Sequence, residues 1–272
     1  MKKPFQILAF LLFGFLSVSA TDNYRGGARS RALSNALVSV TDPWSTFHNQ
    51  ATLANYNRFS AGIFYESMYL IDELSLAAGT VVLPAVGGTL GLSFYQLGEG
   101  TYKESKAGLA YSKRLSKKLN AAVQFDYFHT RFPENEKGSS FPTFELGMSY
   151  QATRELTLGL HLFNPIKNGF RTQYQRQKTA AIIRFGGHYQ FQDKALLALE
   201  IEKNSAQNAQ IKSGLEFTPL ENFAVRLGVS GRPLQLSAGI GYSFSKIVTN
   251  IGFSYHETLG ITPSVALNYQ LP

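Results

Sequence analysis

Residues 118–131 read KLNAAVQFDYFHTR. In an extended chain successive side chains alternate between faces, so Leu119, Ala121, Val123, Phe125 and Tyr127 share one side, and Asn120, Ala122, Gln124, Asp126 and Phe128 the other. The pattern returns at 154–164, RELTLGLHLFN, where Leu156, Leu158, Leu160 and Leu162 oppose Thr157, Gly159, His161 and Phe163. Each such strand has one apolar and one mixed face. A soluble sandwich and a membrane barrel both satisfy that arrangement, so the choice rests on what the mixed face carries and where the aromatics fall.

Carried along the chain, the alternation gives candidate strands near 58–66, 72–83, 87–97, 102–114, 118–131, 141–151, 154–164, 178–191, 194–203, 209–217, 222–230, 234–244, 246–256 and 262–271. That is fourteen strands in the 215 residues after Asn57, about 15 residues for each strand with its connection against the roughly 10 a tilted strand needs to cross hydrocarbon. Charges sit in mid-strand on the mixed face. Lys106, Arg114, Asp126, Glu145, Arg184, Glu200, Glu202, Lys212, Glu216 and Arg226 balance in sign, which speaks against a strongly ion-selective pore. Such charges need water or partners, and a barrel lumen supplies both.

A second pattern favours the barrel. Glycine followed three residues later by an aromatic occurs at Gly91/Phe94, Gly108/Tyr111, Gly147/Tyr150, Gly214/Phe217, Gly241/Phe244 and Gly252/Tyr255, which puts the glycine inside and the ring outside. Tyr111, Tyr150, Phe217 and Phe244 stand just before short turns, where an interfacial girdle belongs. Connections alternate between tight turns and longer loops, the longest being FPENEKGSS (132–140) and NPIKNGFRTQYQR (164–176). The reading is an all-β, transmembrane antiparallel β-barrel of about 14 strands spanning 58–272, with a short N-terminal plug segment.

Composition agrees. The 272 residues include 21 Phe and 14 Tyr but no Cys, which excludes a disordered chain, a disulfide scaffold and thiolate metal sites. A mean hydropathy of −0.10 is too polar for a bundle of membrane helices. Residues 1–20 carry basic Lys2 and Lys3, an apolar run from Phe5 to Leu16 and a small-residue exit at Ala20, the three zones of a cleaved signal peptide, so export to the bacterial outer membrane is expected. Removing them lowers the formal charge from +8 to +6. The Lys and Arg are scattered, which points to anionic lipid and lipopolysaccharide rather than nucleic acid.

Residues 21–57 do not alternate. They hold small residues, a capping-type Asp42 before Pro43, and Trp44, suggesting helical turns in a compact segment that needs a surface to pack on. Gly62, Gly79, Gly91, Gly108 and Gly147 would let it approach the early strands, with Trp44 as its apolar anchor. Arg25, Arg29, Arg31 and Asp42 would grip the lumen charges.

Within that segment Gly27-Ala28-Arg29, Ala36-Leu37-Val38-Ser39-Val40-Thr41-Asp42 and Asn49-Gln50-Ala51-Thr52-Leu53-Ala54 resemble the opening GARxxGMGGAxVAxADDxxAxxxNPAGLA of FadL-like outer-membrane barrels, and within them the PorV/PorQ group of Bacteroidetes. Gln50 replaces the usual Pro, Thr52 the Gly, and Ser34-Asn35 the paired Gly. The resemblance implies a 14-stranded barrel with its N-terminal stretch, Asn49 included, packed into the mouth.

For function it implies a non-enzymatic accessory or partner-binding component of an envelope machine such as the type IX secretion apparatus, or alternatively a diffusion channel for hydrophobic small molecules. Phe64, Phe128 and Phe163, on the inner face, would line a pocket for a hydrophobic ligand. Polar loops argue for the accessory role, with Phe170, Arg171 and Tyr174 contacting a partner protein or surface polysaccharide. His188 could reach Ser254 or Ser237, but no local motif supports catalysis, and neither a cofactor nor a metal is expected.

Overall fold

The computed structural model describes residues 23–100, 102–132, 138–171, 176–192, 194–231 and 233–271. The proposed signal peptide therefore lies outside the described residues, as does Tyr174.

Fourteen antiparallel strands close into one barrel: β1 (Ser60–Ser67), β2 (Ser75–Ala85), β3 (Gly88–Leu97), β4 (Lys103–Arg114), β5 (Leu119–Arg131), β6 (Ser139–Gln151), β7 (Leu156–Phe163), β10 (Ile182–Phe191), β11 (Ala195–Asn204), β12 (Gln210–Leu220), β13 (Phe223–Ser230), β14 (Gln235–Phe244), β15 (Ile247–His256) and β16 (Gly260–Gln270). Two short strands, β8 (Gly169–Arg171) and β9 (Arg176–Lys178), form a separate hairpin between β7 and β10. Closure comes from β1 pairing with β16, from Ser60↔Gln270 to Glu66↔Ser264. With both edges joined, no strand of the wall presents an unpaired row of amides and carbonyls, the condition for crossing hydrocarbon.

Alternation then sorts the side chains. Ile63, Leu92, Phe94, Leu109, Phe125, Leu199, Ile201 and Leu227 point outward and are exposed, while Gln124, Asp126, Glu145, Arg184 and Glu200 point inward and are buried. All six glycine–aromatic pairs obey the inside–outside rule. Tyr111, Tyr150, Phe217 and Phe244 are exposed beside the short turns, as a girdle requires. The ladder shifts register between Phe217 and Leu220, where Pro219 has no N–H to offer. Because Leu199 is 53% exposed in the middle of β11, Leu199→Arg should cost about 2–4 kcal/mol in bilayer folding titrations. An unchanged titration would mean that this face does not meet lipid.

One strand starts later than its alternation indicates. The pattern begins at residue 178, yet β10 begins at Ile182, because Asn164 draws the preceding chain across the barrel mouth. Its Oδ1 accepts from Thr143 Oγ1 at 2.7 Å and Asn168 N at 2.9 Å, and its Nδ2 donates to Thr179 O at 2.9 Å. A buried amide with both ends satisfied outweighs continued pairing of Thr179–Ala181 with the wall.

Candidate functional site: the occupied lumen

Residues 23–57 run inside the barrel as helix α1 (Ala28–Ala32) and the two 3₁₀ turns Pro43–Phe47 and Gln50–Asn55. Local chemistry starts each turn. Asp42 accepts from Trp44 N at 2.8 Å while Ser45 Oγ accepts from Asp42 N at 3.1 Å, a reciprocal cap with Pro43 at the first position. Asn49 Oδ1 accepts from Ala51 N at 3.2 Å, opening the second turn.

Charge pairing carries the docking. On the inner wall, among the described residues, seven carboxylates (Glu66, Glu104, Asp126, Glu145, Glu200, Glu202 and Glu216) face four buried cations, Lys106, Arg184, Lys212 and Arg226. The balance read from sequence is thus corrected, because Glu66 and Glu104 also point inward and Arg114 sits exposed at the rim, donating to Ala54 O and Asn55 Oδ1. The segment's arginines meet the acidic excess. Arg29 makes a bidentate pair with Glu216 at 2.7 and 2.8 Å and lies 3.5 Å from Asp42; Arg31 pairs with Glu66, and Arg25 with Glu202. Glu216 also accepts from Arg226, which in turn donates to Asn250 Oδ1 at 2.8 Å.

Backbone contacts fix the register of the segment. Glu200 accepts from Val38 N at 2.9 Å, and Asn49 Nδ2 bridges Val38 O at 2.7 Å to Met148 O on β6 at 2.9 Å. Burial, and then the Arg25 and Arg184 guanidiniums, hold the His48 ring well below its usual pKa, so it stays neutral and donates Nε2–H to Gly26 O at 3.2 Å. Burial pushes the Asp42 carboxyl up, against the pull of Arg29.

Deeper in the wall Glu145 is a hub. It accepts from Lys106 Nζ at 2.6 Å, Gln50 Nε2 at 2.7 Å and His161 Nε2 at 2.8 Å, with Asp126 3.4 Å from Lys106. His188, considered above with Ser254 or Ser237, instead pairs with Ser39 of the segment at 2.9 Å.

Of the glycines expected to admit the segment, Gly62, Gly91 and Gly147 do so against Trp44, Thr46 and Asn49, whereas Gly79 faces outward and Gly108 faces Ser93, Gln124 and Asp126. The tightest backbone approach is on a later strand: a Cβ at Gly159 would stand 2.2 Å from Val38 O and 3.0 Å from Ser39 Cα. Gly159 is paired across the ladder with Gly186, itself inward-facing, and this cross-strand coincidence of inner glycines is the signal that could have marked the approach in advance. Gly159→Ala should therefore dislodge the segment, seen as faster proteolysis between residues 28 and 54 with an unchanged heat-modifiable barrel. Equal protease resistance would show that the approach is looser than drawn.

An aromatic path joins the loops to the segment. Phe128 stacks on Phe141 at 4.9 Å and meets Phe163 and Tyr95 edge-on at 6.0 and 6.4 Å, and Lys106 Nζ lies 5.7–5.9 Å from the rings of Phe47, Phe128 and Phe163. Trp44 packs on Phe47 and Phe64, with centroids 5.9 and 5.7 Å away, inside the same cluster.

Phe170, expected as an exposed partner contact, is only 2% exposed and packs on Phe132 at 5.5 Å, capping the cluster from above. That expectation is corrected: the β8–β9 hairpin turns this ring inward, where burial of its apolar surface outweighs display on the loop. Arg171 lies on the backbone of β8.

No protein-family model and no curated protein matches this sequence. Solved structures do match in shape. The CymD monoaromatic hydrocarbon channel superposes with a TM-score of 0.69 at 13% identity, over 93% of this chain and 99% of that one. The Ralstonia pickettii toluene transporter TbuX gives 0.66 at 12% identity over 90% and 97%, and a Pseudomonas aeruginosa FadL homologue 0.65 at 13% over 90% and 98%. The fold is FadL-like. Such a fold fits an outer-membrane protein, and at these identities the likeness is one of architecture.

Proposed function

We propose that this chain is an outer-membrane channel for small hydrophobic molecules, exported through residues 1–20 and closed by residues 21–57 as a plug. The observation that carries the reading is the aromatic path from Phe132 and Phe170 under the loops, through Phe128, Phe141 and Phe163, to Trp44 on the plug. Apolar lining lowers the cost of moving a hydrophobic solute off the surface, whereas a water-filled pore for polar solutes has no use for it. FadL-like transporters of aromatic hydrocarbons share the architecture, which supports the same solute class here. In this arrangement lipid and lipopolysaccharide surround the apolar outer wall.

The plug fills the lumen, so passage requires it to shift. Its contacts combine apolar packing of Leu33, Leu37, Trp44 and Phe47 with charge pairs and hydrogen bonds; water can replace the hydrogen-bond partners at modest net cost, and a hydrophobic solute the apolar ones. The accessory role in an envelope or secretion machine loses Phe170 to the interior and would rest on Arg171 and Tyr174 of the same loop.

The test is uptake of labelled toluene, at concentrations well below saturation, by Gram-negative cells devoid of their own FadL-type barrels. Expression of the protein should raise the rate, and deletion of residues 28–54 should change it further. No rise with toluene or with a labelled long-chain fatty acid, from protein shown to be folded in the outer membrane, would sink the channel.

A further inference from the structure

At the loop end of the lumen, beside the aromatic cluster, which it meets at Tyr24 and Ile182, a cavity of about 240 Å³ is lined by Arg25 and Arg31 of the N-terminal segment and by Arg184 and Lys212 of the wall, with Glu202 as its one lining carboxylate. That volume holds about eight waters at roughly 30 Å³ each. Glu202 already serves three of these cations, at 2.8 Å from Arg184 and 3.0 Å from Lys212, with Arg25 as the third. Arg31 is held by Glu66, and Glu200 lies 3.7 Å from Arg25. Four cations therefore converge on the cavity, held by Glu202, Glu200 and Glu66, of which only Glu202 lines it.

Hydrogen bonding points the same way. Arg184 is 1% exposed, yet among the described residues its Nη2 has no partner; the Nδ2 of buried Asn23, also lining the cavity, has none either. Two buried donors without acceptors, in a lining of four cations and one carboxylate, call for an anionic acceptor. The Asn35 Oδ1, likewise lining the cavity without a partner, offers an acceptor for a hydroxyl on the occupant. An oxyanion that keeps one OH, as inorganic phosphate does near neutral pH, satisfies all three groups; a carboxylate, or a phosphate monoester that has lost its second proton, leaves Asn35 unmet. Exposed Gln207 at the rim leaves the cavity reachable from the loop side.

The geometry points to a phosphate-class anion site that bridges plug and wall. Because Arg25, Arg31 and Asn23 belong to the plug while Arg184 and Lys212 belong to β10 and β12, an anion bound between them ties the two together. By linkage, anything bound only when the plug is docked stabilises the docked state. The site holds whether or not the lumen passes hydrophobic solutes.

The experiment is titration of the folded, heat-modifiable protein in detergent with inorganic phosphate at constant ionic strength, read by ³¹P line broadening and by protease resistance of the plug. Saturable broadening and slower cleavage are expected. Lys212→Gln should weaken binding at least about tenfold, the loss of one charged hydrogen bond. Lys194→Gln, which removes the same charge from the exposed short turn between β10 and β11 at the other end of the barrel, should leave it unchanged. Methyl phosphate at about pH 7.5, which has lost the OH that Asn35 would accept, should bind more weakly than phosphate. Absence of saturable binding in the wild type, or equal weakening by both variants, overturns the site. Acetate binding as tightly as phosphate would overturn the role given to Asn35 and with it the phosphate class.

Discussion

With Ser34 and Ser237 both replaced by cysteine, oxidised protein should take up hydrophobic solute no faster than cells without the barrel, and a reductant should restore the wild-type rate. The two hydroxyl oxygens are 3.0 Å apart, one on the plug and one on β14, so sulfurs in their place need only a small shift to reach the 2.03–2.05 Å of a disulfide. Serine to cysteine changes little else in volume. The chain contains no other Cys, so no competing thiol confuses the result. A cross-link pins the plug near its middle and costs the open state the freedom it needs, while the closed state loses nothing. Uptake that persists in protein whose cross-link is verified by mass would mean that solute bypasses the plug, and the proposed gate would fall. The single Trp44 provides an internal control, because its emission should be the same in oxidised and reduced protein if the closed arrangement is undisturbed.

The second large effect concerns stability. Glu145→Leu should destabilise the barrel by about 3–5 kcal/mol, because it strips the closest counter-charge from Lys106, a fully buried ammonium left with Asp126 at 3.4 Å. His161 and Gln50 lose their acceptor as well. The companion Glu145→Leu/Lys106→Met/Asp126→Asn should recover most of the loss, since removing the ammonium together with both of its carboxylates leaves no unpaired charge among Phe47, Phe128 and Phe163. Denaturant titration in lipid vesicles, followed by the heat-modifiable band, measures both. A single variant within about 1 kcal/mol of wild type would show that water reaches Lys106 and that the hub is not dry.

Sequence reasoning reached the wall because strand alternation is local: a residue's face is settled by its neighbours two positions away, and all fourteen barrel strands follow it. Phe64, Phe128 and Phe163 were legible as inward for that reason, as were Asp126, Glu145, Arg184, Glu200 and Arg226. Glu66 and Glu104 lay on the same period, one step from strand ends, and ends are where a repeat of two is counted least surely. The non-repeating stretch around Asp42, Trp44 and Asn49 announced a packed segment through its caps and small residues.

What each side chain meets across the lumen was a different matter. That Arg31 finds Glu66, that Arg29 finds Glu216 and that Gly159 admits Val38 depends on barrel closure and on the path of an irregular segment through it, pairings separated by 35, 187 and 121 positions. The inward turn of Phe170 rests on Asn164 satisfying both ends of its amide, a choice between water and the barrel mouth that composition cannot weigh. The amino-acid sequence by itself determined the wall, because the pleat dictates the face of every residue from local order alone. Only the tertiary structure decided the contents of the lumen, because charge pairing and close packing between segments far apart in sequence are settled by which groups the closed barrel leaves without water.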